Sequence, residues 1–320
     1  MSLGNVLRKL YNRQVDLNVG KCAYTTLMPL LKNKKPNKPL FIKIETVNYC
    51  NSQCKYCPHP KMTREKGLIS DELFNKIAKE LVNWGVKAVH LTNFGESLLD
   101  PKITERIDYL KNLDNDLYIT IITNGFALSE KNIDKILNSN LDEIQISFDG
   151  FSKEHYEFYR TPFKYENIKS KLTNLLSEKD KRNSKLVIKL NTIYNPDEIS
   201  EKQLHEFKHG WNSVNGINIQ KLHNWSSEEV NNNVNGCIDI YTYMTILRNG
   251  DVVPCCLDFD GKINLGNCNE DTLQEIWENE KYTNFRNLVF NDVRNIDLCK
   301  NCMMAKNKER PYYALLQCRL

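Results

Sequence analysis

Between residues 41 and 220, strand-length apolar runs alternate with amphipathic helical stretches, and that alternation admits few folds. Phe41–Thr46, Val86–Thr92, Leu117–Ile122, Glu143–Ser147, Leu186–Ile193 and the short Gly216–Gln220 read as strands. Ser70–Trp84, Lys102–Leu113, Glu130–Asn138, Tyr165–Glu178 and Glu198–His209 read as helices between them. In the first helix Leu73, Phe74, Ile77, Leu81 and Val82 fall on one stripe. Such a series predicts an α/β fold with a parallel sheet under helices. Polar or glycine-containing groups follow four consecutive strands: a cysteine loop, Asn93-Phe94-Gly95-Glu96, Thr123-Asn124-Gly125 and Asp149-Gly150. Carboxyl ends of strands are where α/β proteins build their sites. Four neighbouring strands serving one site suit a curved sheet better than an open one.

The cysteine loop holds Cys50, Cys54 and Cys57 in the spacing C-x3-C-x2-C. Three thiolates can hold three corners of a cubane iron–sulfur cluster and leave the fourth iron open to bind and activate a small molecule. The competing reading is zinc, which wants four nitrogen or sulfur ligands, with His59 as the candidate fourth.

After residue 223 the pattern changes. Residues 224–236 are polar and asparagine-rich and read as a linker. Tyr243–Arg248 and Asp251–Pro254 read as a hairpin closed by Asn249-Gly250, a pair suited to a two-residue type I′ turn. Thr272–Glu280 reads as a helix with Asp271 as its N-cap. Cys237 and Cys255 bracket the hairpin, and Cys299 and Cys302 form a C-x2-C pair. Four converging thiolates suit structural zinc or a fully ligated iron–sulfur cluster.

The stretch CNSQCKYCPHPKMTREKG, with Tyr56 just before its third cysteine, resembles the signature of the radical S-adenosylmethionine (SAM) superfamily. The resemblance implies a partial (β/α)6 barrel over residues 39–223, after an N-terminal extension over 1–38. It implies a [4Fe–4S] cluster on Cys50, Cys54 and Cys57 whose open iron chelates SAM for reductive cleavage to a 5′-deoxyadenosyl radical. Gly95-Glu96 resembles the family's GGE motif, with Phe94 where the first glycine usually sits. Asn124, Ser147 and Asp149 match strand-end groups that contact ribose and methionine in this family, and Asn191 is a further ribose candidate. The Arg160 guanidinium suits the SAM carboxylate. Cys237, Gly250, Leu265-Gly266-Asn267, Trp277, Arg286 and the closing cysteine pair resemble the SPASM/twitch extension, here over residues 237–320. No cysteine follows Cys302 before Cys318, so the resemblance implies one auxiliary [4Fe–4S] cluster, on Cys237, Cys255, Cys299 and Cys302.

Eleven cysteines without a secretory h-region at the N-terminus point to a reducing, cytoplasmic compartment with thiolates reserved for metal. Cys22, Cys256, Cys268 and Cys318 are left as small buried or neutral residues. A net charge of +4 gives no case for nucleic acid, and no apolar run is long enough for a membrane span. The leading expectation is an oxidoreductase that dehydrogenates or epimerises a small polar molecule such as a sugar or aminocyclitol. Its partners are that substrate and an external electron donor such as flavodoxin or ferredoxin. Cys256 or Cys268 could quench a radical, and Asp239, Asp258 or Asp260 could take a proton. The alternatives are a maturase acting on a peptide and a non-catalytic zinc-binding protein.

Overall fold

Among the described residues, nine strands form one sheet in the order β6-β5-β4-β3-β2-β1-β7-β8-β9. The computed structural model describes residues 36–222, 237, 239–291 and 293–302. The expected extension up to residue 35, the linker 224–236, Cys22 and Cys318 lie outside the described residues. β1 (Phe41–Ile44), β2 (Ala88–His90), β3 (Tyr118–Thr123), β4 (Glu143–Ser147), β5 (Val187–Tyr194) and β6 (Gly216–Lys221) pair in parallel, each with its neighbour in sequence. Helices α1 (Asp71–Asn83), α2 (Ile103–Leu113), α3 (Glu130–Asn138), α4 (Lys153–Tyr159), α5 (Tyr165–Lys181) and α6 (Glu201–Gly210) connect them. Ser70 caps α1, accepting from the Leu73 N–H at 3.1 Å, and Leu73, Phe74, Ile77, Ala78 and Leu81 are buried. α4 is an element the sequence pattern did not announce.

The strands keep period two, and this defines two unlike faces. Ile42, Ile44, Val89, Leu91, Ile119, Ile121, Ile144, Ile146, Ile188 and Leu190 join the helices in the main core. The alternate positions Lys43, His90, Thr120, Glu143, Gln145, Lys189 and Asn191 therefore line the other face. Fully covered parallel sheets read as continuous apolar runs, whereas this one alternates. A polar inner face bounded by helices on the outside only is what a partial barrel requires, and the architecture is of that class.

The C-terminal hairpin continues the same sheet. β7 (Tyr243–Ile246) pairs in parallel with β1, and β8 (Asp251–Val253) and β9 (Gly266–Asn267) follow antiparallel. This addition covers the edge that β1 would otherwise expose. The turn is not type I′, because Gly250 has φ +92° while Asn249 keeps a negative φ. Gly250 N–H donates to Leu247 carbonyl at 2.9 Å, giving a three-residue loop with glycine in the left-handed position. Asn249 Oδ1 accepts from the Asp251 N–H at 3.3 Å, which holds Asn249 out of that region. After α7 (Asp239–Thr242) and the hairpin come α8 (Leu273–Glu278), α9 (Glu280–Asn291) and α10 (Asp297–Lys300). The cap of α8 is Thr272, not Asp271: Thr272 and Glu275 form a reciprocal capping box that an aspartate one residue earlier cannot reach. Trp277 is fully buried, with the Arg286 guanidinium 4.1 Å from its ring and 3.8 Å from that of Tyr282.

Candidate functional site

The loop Tyr49–Cys57 lies across the carboxyl ends of β2, β3 and β4. Tyr49 carbonyl accepts from Glu96 N–H at 3.0 Å. Asn51 Oδ1 accepts from Asn124 Nδ2 at 2.8 Å, and Cys50 Sγ is 3.8 Å from the same amide nitrogen. Gln53 and Lys55 donate backbone N–H groups to Thr161 and Tyr159 carbonyls. Tyr56 hydroxyl donates to Asp149 Oδ2 at 2.7 Å. Residues scattered over more than a hundred positions thus meet on one loop.

Gly95 is required by this approach. A Cβ there would sit 2.0 Å from the Val47 carbonyl oxygen, with backbone on the other side of the contact. Phe94, the departure from the family pattern, packs 5.8 Å from Phe259 of the C-terminal segment. Glu96 is 2% exposed and ties two strand ends together. It accepts from Thr123 Oγ1 at 2.6 Å, Asn124 N–H at 2.7 Å and Leu98 N–H at 3.1 Å. Burial raises its pKa against the opposing pull of those bonds.

Asp149 is the hub of the β4 end. It is fully buried and accepts from Tyr56, from Arg160 Nε at 2.6 Å and from Ile193 N–H at 2.7 Å. The Nε edge of Arg160, expected to meet the SAM carboxylate, is thus engaged by Asp149. Ser147 and Asn191 share a register position on the inner face, one strand apart. Asn191 is bonded sideways, donating to Gln145 and accepting from Asn218 at 2.7 Å. These two belong to the inner face, whereas Tyr56, Gly95, Glu96, Asn124, Asp149 and Arg160 converge on the loop.

All nine cysteines among the described residues are free thiols. Burial pushes Cys50 up to about 12 and Cys57 up to about 11, with the neighbouring thiols adding to both. Such a set resists ionising until a cation shares its volume, as metal binding requires. His59 turns away from it: Nε2 is 3.0 Å from the Asn48 carbonyl oxygen. Among the described residues, no three His, Cys, Asp or Glu side chains converge to hold a single ion. A cubane asks for something else, since each thiolate meets its own iron around a shared volume. The donor chemistry therefore fits a cluster.

The second thiol set sits beside the hairpin. Burial, followed by the Cys256 and Cys299 thiols, holds Cys255 well above the ordinary range. Burial, followed by Cys237 and Cys302, does the same to Cys299. Cys255, Leu257, Leu298 and Cys302 form a small apolar cluster around them. The other candidates have ordinary partners. Asp258 accepts from Lys262 and Ile263 N–H groups, Asp260 accepts from Thr63 N–H, and Asp239 accepts from Tyr243 hydroxyl. Cys268 is fully buried in the main core.

A further polar group carries no motif in the sequence. A row at one register crosses five strands: Thr245, Lys43, His90, Thr120 and Glu143. Glu143 is fully buried, accepts from Tyr118 hydroxyl at 2.8 Å and pairs with Lys189 Nζ at 2.8 Å. Polar alternation within strands of a parallel sheet was the available signal.

A curved parallel sheet with a three-cysteine loop at its mouth and a four-cysteine segment on its edge defines a class. The radical SAM superfamily model matches residues 44–216, and a model described as an iron-sulfur cluster-binding domain, SPASM, matches residues 237–303. The chain belongs to the radical SAM superfamily and carries a SPASM-type domain. These domains imply a [4Fe–4S] cluster, auxiliary cluster binding and SAM.

Among particular relatives, the S-adenosyl-L-methionine-dependent 2-deoxy-scyllo-inosamine dehydrogenase of Niallia circulans is 24% identical over 289 residues. That alignment covers 86% of this chain and 97% of the dehydrogenase. The GTP 3′,8-cyclase of Chlorobaculum tepidum is 27% identical over 166 residues, and the match spans 50% of this chain but less than half, 47%, of the cyclase. In fold, the chain is similar to BtrN in complex with AdoMet and 2-DOIA (TM-score 0.59, 20% identity, 83% of this chain and 93% of that one). It is similar also to Streptococcus suis SuiB bound to S-adenosylmethionine (TM-score 0.62, 17% identity, 94% of this chain and 82% of that one). No helix among the described residues is long and apolar enough to cross a membrane.

Proposed function

We propose that the chain is a radical SAM oxidoreductase that dehydrogenates a small polar molecule of the sugar or aminocyclitol class. The observation that carries this reading is the inner face, where hydrogen-bonding side chains recur at register positions on strands from β7 to β6. That surface suits a polyhydroxylated ligand. The nearly full-length likeness to an aminocyclitol dehydrogenase supports it.

In this reading residues 39–223 form the catalytic core and residues 237–320 the auxiliary module. Cys50, Cys54 and Cys57 hold one [4Fe–4S] cluster, and Cys237, Cys255, Cys299 and Cys302 hold one more. When bound, the first cluster supplies the electron that cleaves SAM and so starts hydrogen-atom abstraction. Dehydrogenation removes two electrons and two protons in all, so one electron and one proton must leave after the hydrogen atom. The auxiliary site is the place for that electron. The chain's own residues orient the reactants: Gly95 opens the backbone, Glu96 fixes the β2 and β3 ends, and Asp149 fixes Tyr56 and Arg160. Epimerisation instead needs a thiol at the substrate, and burial of Cys268 in the outer core disfavours it for that role.

Anaerobic reconstitution tests the reading. We expect about eight iron atoms per chain, as two cubanes require. We expect SAM cleavage under reductant and oxidation of a polyol without any peptide. Turnover only with a peptide substrate would move the chain to the maturases. Zinc with no SAM cleavage would remove it from catalysis.

A further inference from the structure

Among the described residues, Lys43 is an inner-face cation without a counter-charge. Its Nζ lies 4.6 Å from the centroid of the Tyr243 ring, and it has no ion-pair partner among the described residues. The carboxylates on the same face are engaged elsewhere. Glu143 pairs with Lys189, and Glu45 pairs with Arg64 through both oxygens. Two hydroxyls in the same register row are fully buried and have no hydrogen-bond partner among the described residues: Thr245 Oγ1 and Thr120 Oγ1. Thr245 is the direct neighbour of Lys43 on β7, and Thr120 lies two strands away on β3. A buried hydroxyl without a partner is destabilising. Two of them flanking an unpaired ammonium form a site whose missing component is an acceptor.

We infer that the substrate carries an anionic group, a carboxylate or a phosphate, that seats on Lys43 and Thr245, with its hydroxyl-bearing body extending toward Thr120. The span from β7 to β3 is three strand spacings, roughly 14 Å along the sheet and less across its concave side. That matches a single sugar-sized acid or phosphate ester. A neutral cyclitol leaves Lys43 unpaired. The inference rests on the reading above that the inner face receives the substrate, and it narrows the substrate class.

The test is equilibrium calorimetry on the full, anaerobically reconstituted chain with D-glucose, D-glucuronate and inorganic phosphate as probes. At least one anion should bind about 10-fold or more tighter than glucose, as a hydrogen bond to a charged group implies. Whichever anion binds tighter assigns carboxylate or phosphate. Lys43→Met should abolish the anion preference. Thr245→Val, which preserves shape, should weaken anion binding roughly 10-fold or more, the loss of one hydrogen bond to a charged group. Equal affinity for glucose and both anions overturns the inference. So does anion binding that survives Lys43→Met, or no anion binding below about 20 mM. Because binding is read without turnover, the two readings fail separately. Lost SAM cleavage with Lys43-dependent binding intact sinks the catalytic reading alone, and the converse sinks this one alone.

Discussion

The carboxylate of Glu45 and the guanidinium of Arg64 meet edge to edge, with two bonds of 2.7 and 2.8 Å. Glu45 is fully buried at the end of β1, and Arg64 follows the cysteine loop. Glu45 also accepts from the Arg248 N–H at 3.1 Å, and Arg64 Nε donates to Phe259 carbonyl at 2.7 Å. One ion pair therefore joins the cysteine loop to the C-terminal hairpin. Glu45→Gln should lower stability by about 3 kcal/mol, because breaking a buried pair leaves a charge without compensation. Urea unfolding of the apoprotein measures it. A double-mutant cycle with Arg64→Met should return a coupling above about 1 kcal/mol, and additive single effects contradict the pairing.

Asp149 and Tyr56 separate charge from orientation. Asp149→Asn leaves Arg160 buried without its partner and should cost about 3–5 kcal/mol. Tyr56→Phe removes one bond to a charged group and should cost about 1.5–3 kcal/mol. Denaturant midpoints for the two variants check the order. Equal losses would show that Arg160 finds another acceptor.

The two thiol sets should fail differently. Cys54→Ala should remove about four iron atoms and all SAM cleavage, in keeping with a three-thiolate cubane. Cys299→Ala should also lose iron but retain SAM cleavage while substrate oxidation falls. Normal oxidation by the second variant removes the electron-acceptor role of the auxiliary site.

Gly95→Ala tests the close approach at Val47. Overlap at 2.0 Å forces the backbone of the β2 loop away from the cysteine loop. SAM affinity should fall about 10-fold or more, a loss of roughly 1.4 kcal/mol or above. Equilibrium binding to the reconstituted chain reads it, and unchanged affinity places the SAM contact elsewhere.

Cys268 provides the pH-dependent case. Burial pushes its thiol up to about 12, above the ordinary value near 8.5. The folded state then holds the proton more tightly. Its stabilising effect is complete below pH about 8.5 and is lost as pH rises toward 12. Alkylation at pH 9 should therefore spare Cys268 in the folded protein and label it after denaturation, as peptide mass mapping reports. Labelling of the folded chain would show that Cys268 is exposed. Cys268→Ala should leave substrate oxidation intact.

The strand–helix series and the three-cysteine loop were legible because each is a local pattern. The helix Glu130–Asn138 lies where periodicity places it. Thr272 was missed in favour of its neighbour Asp271 because both are good capping residues, and only the reach of Glu275 distinguishes them. The turn at Asn249-Gly250 was misread because a dipeptide preference is weaker than the Asn249–Asp251 contact that forms around it.

By itself the sequence determined the order of elements, the thiol sets and the superfamily, since these depend on spacing along the chain. The tertiary structure decided which side chains share a site. Glu45 meets Arg64 over 19 residues and Arg248 over 203, and Lys43 stands beside Thr245. The Arg248 and Thr245 pairings follow from β7 docking on β1, a choice made by strand edges and buried area rather than by any local signal. Charge balance on the inner face exists only after that docking, so the setting of Lys43 over the Tyr243 ring could be seen only in the folded chain.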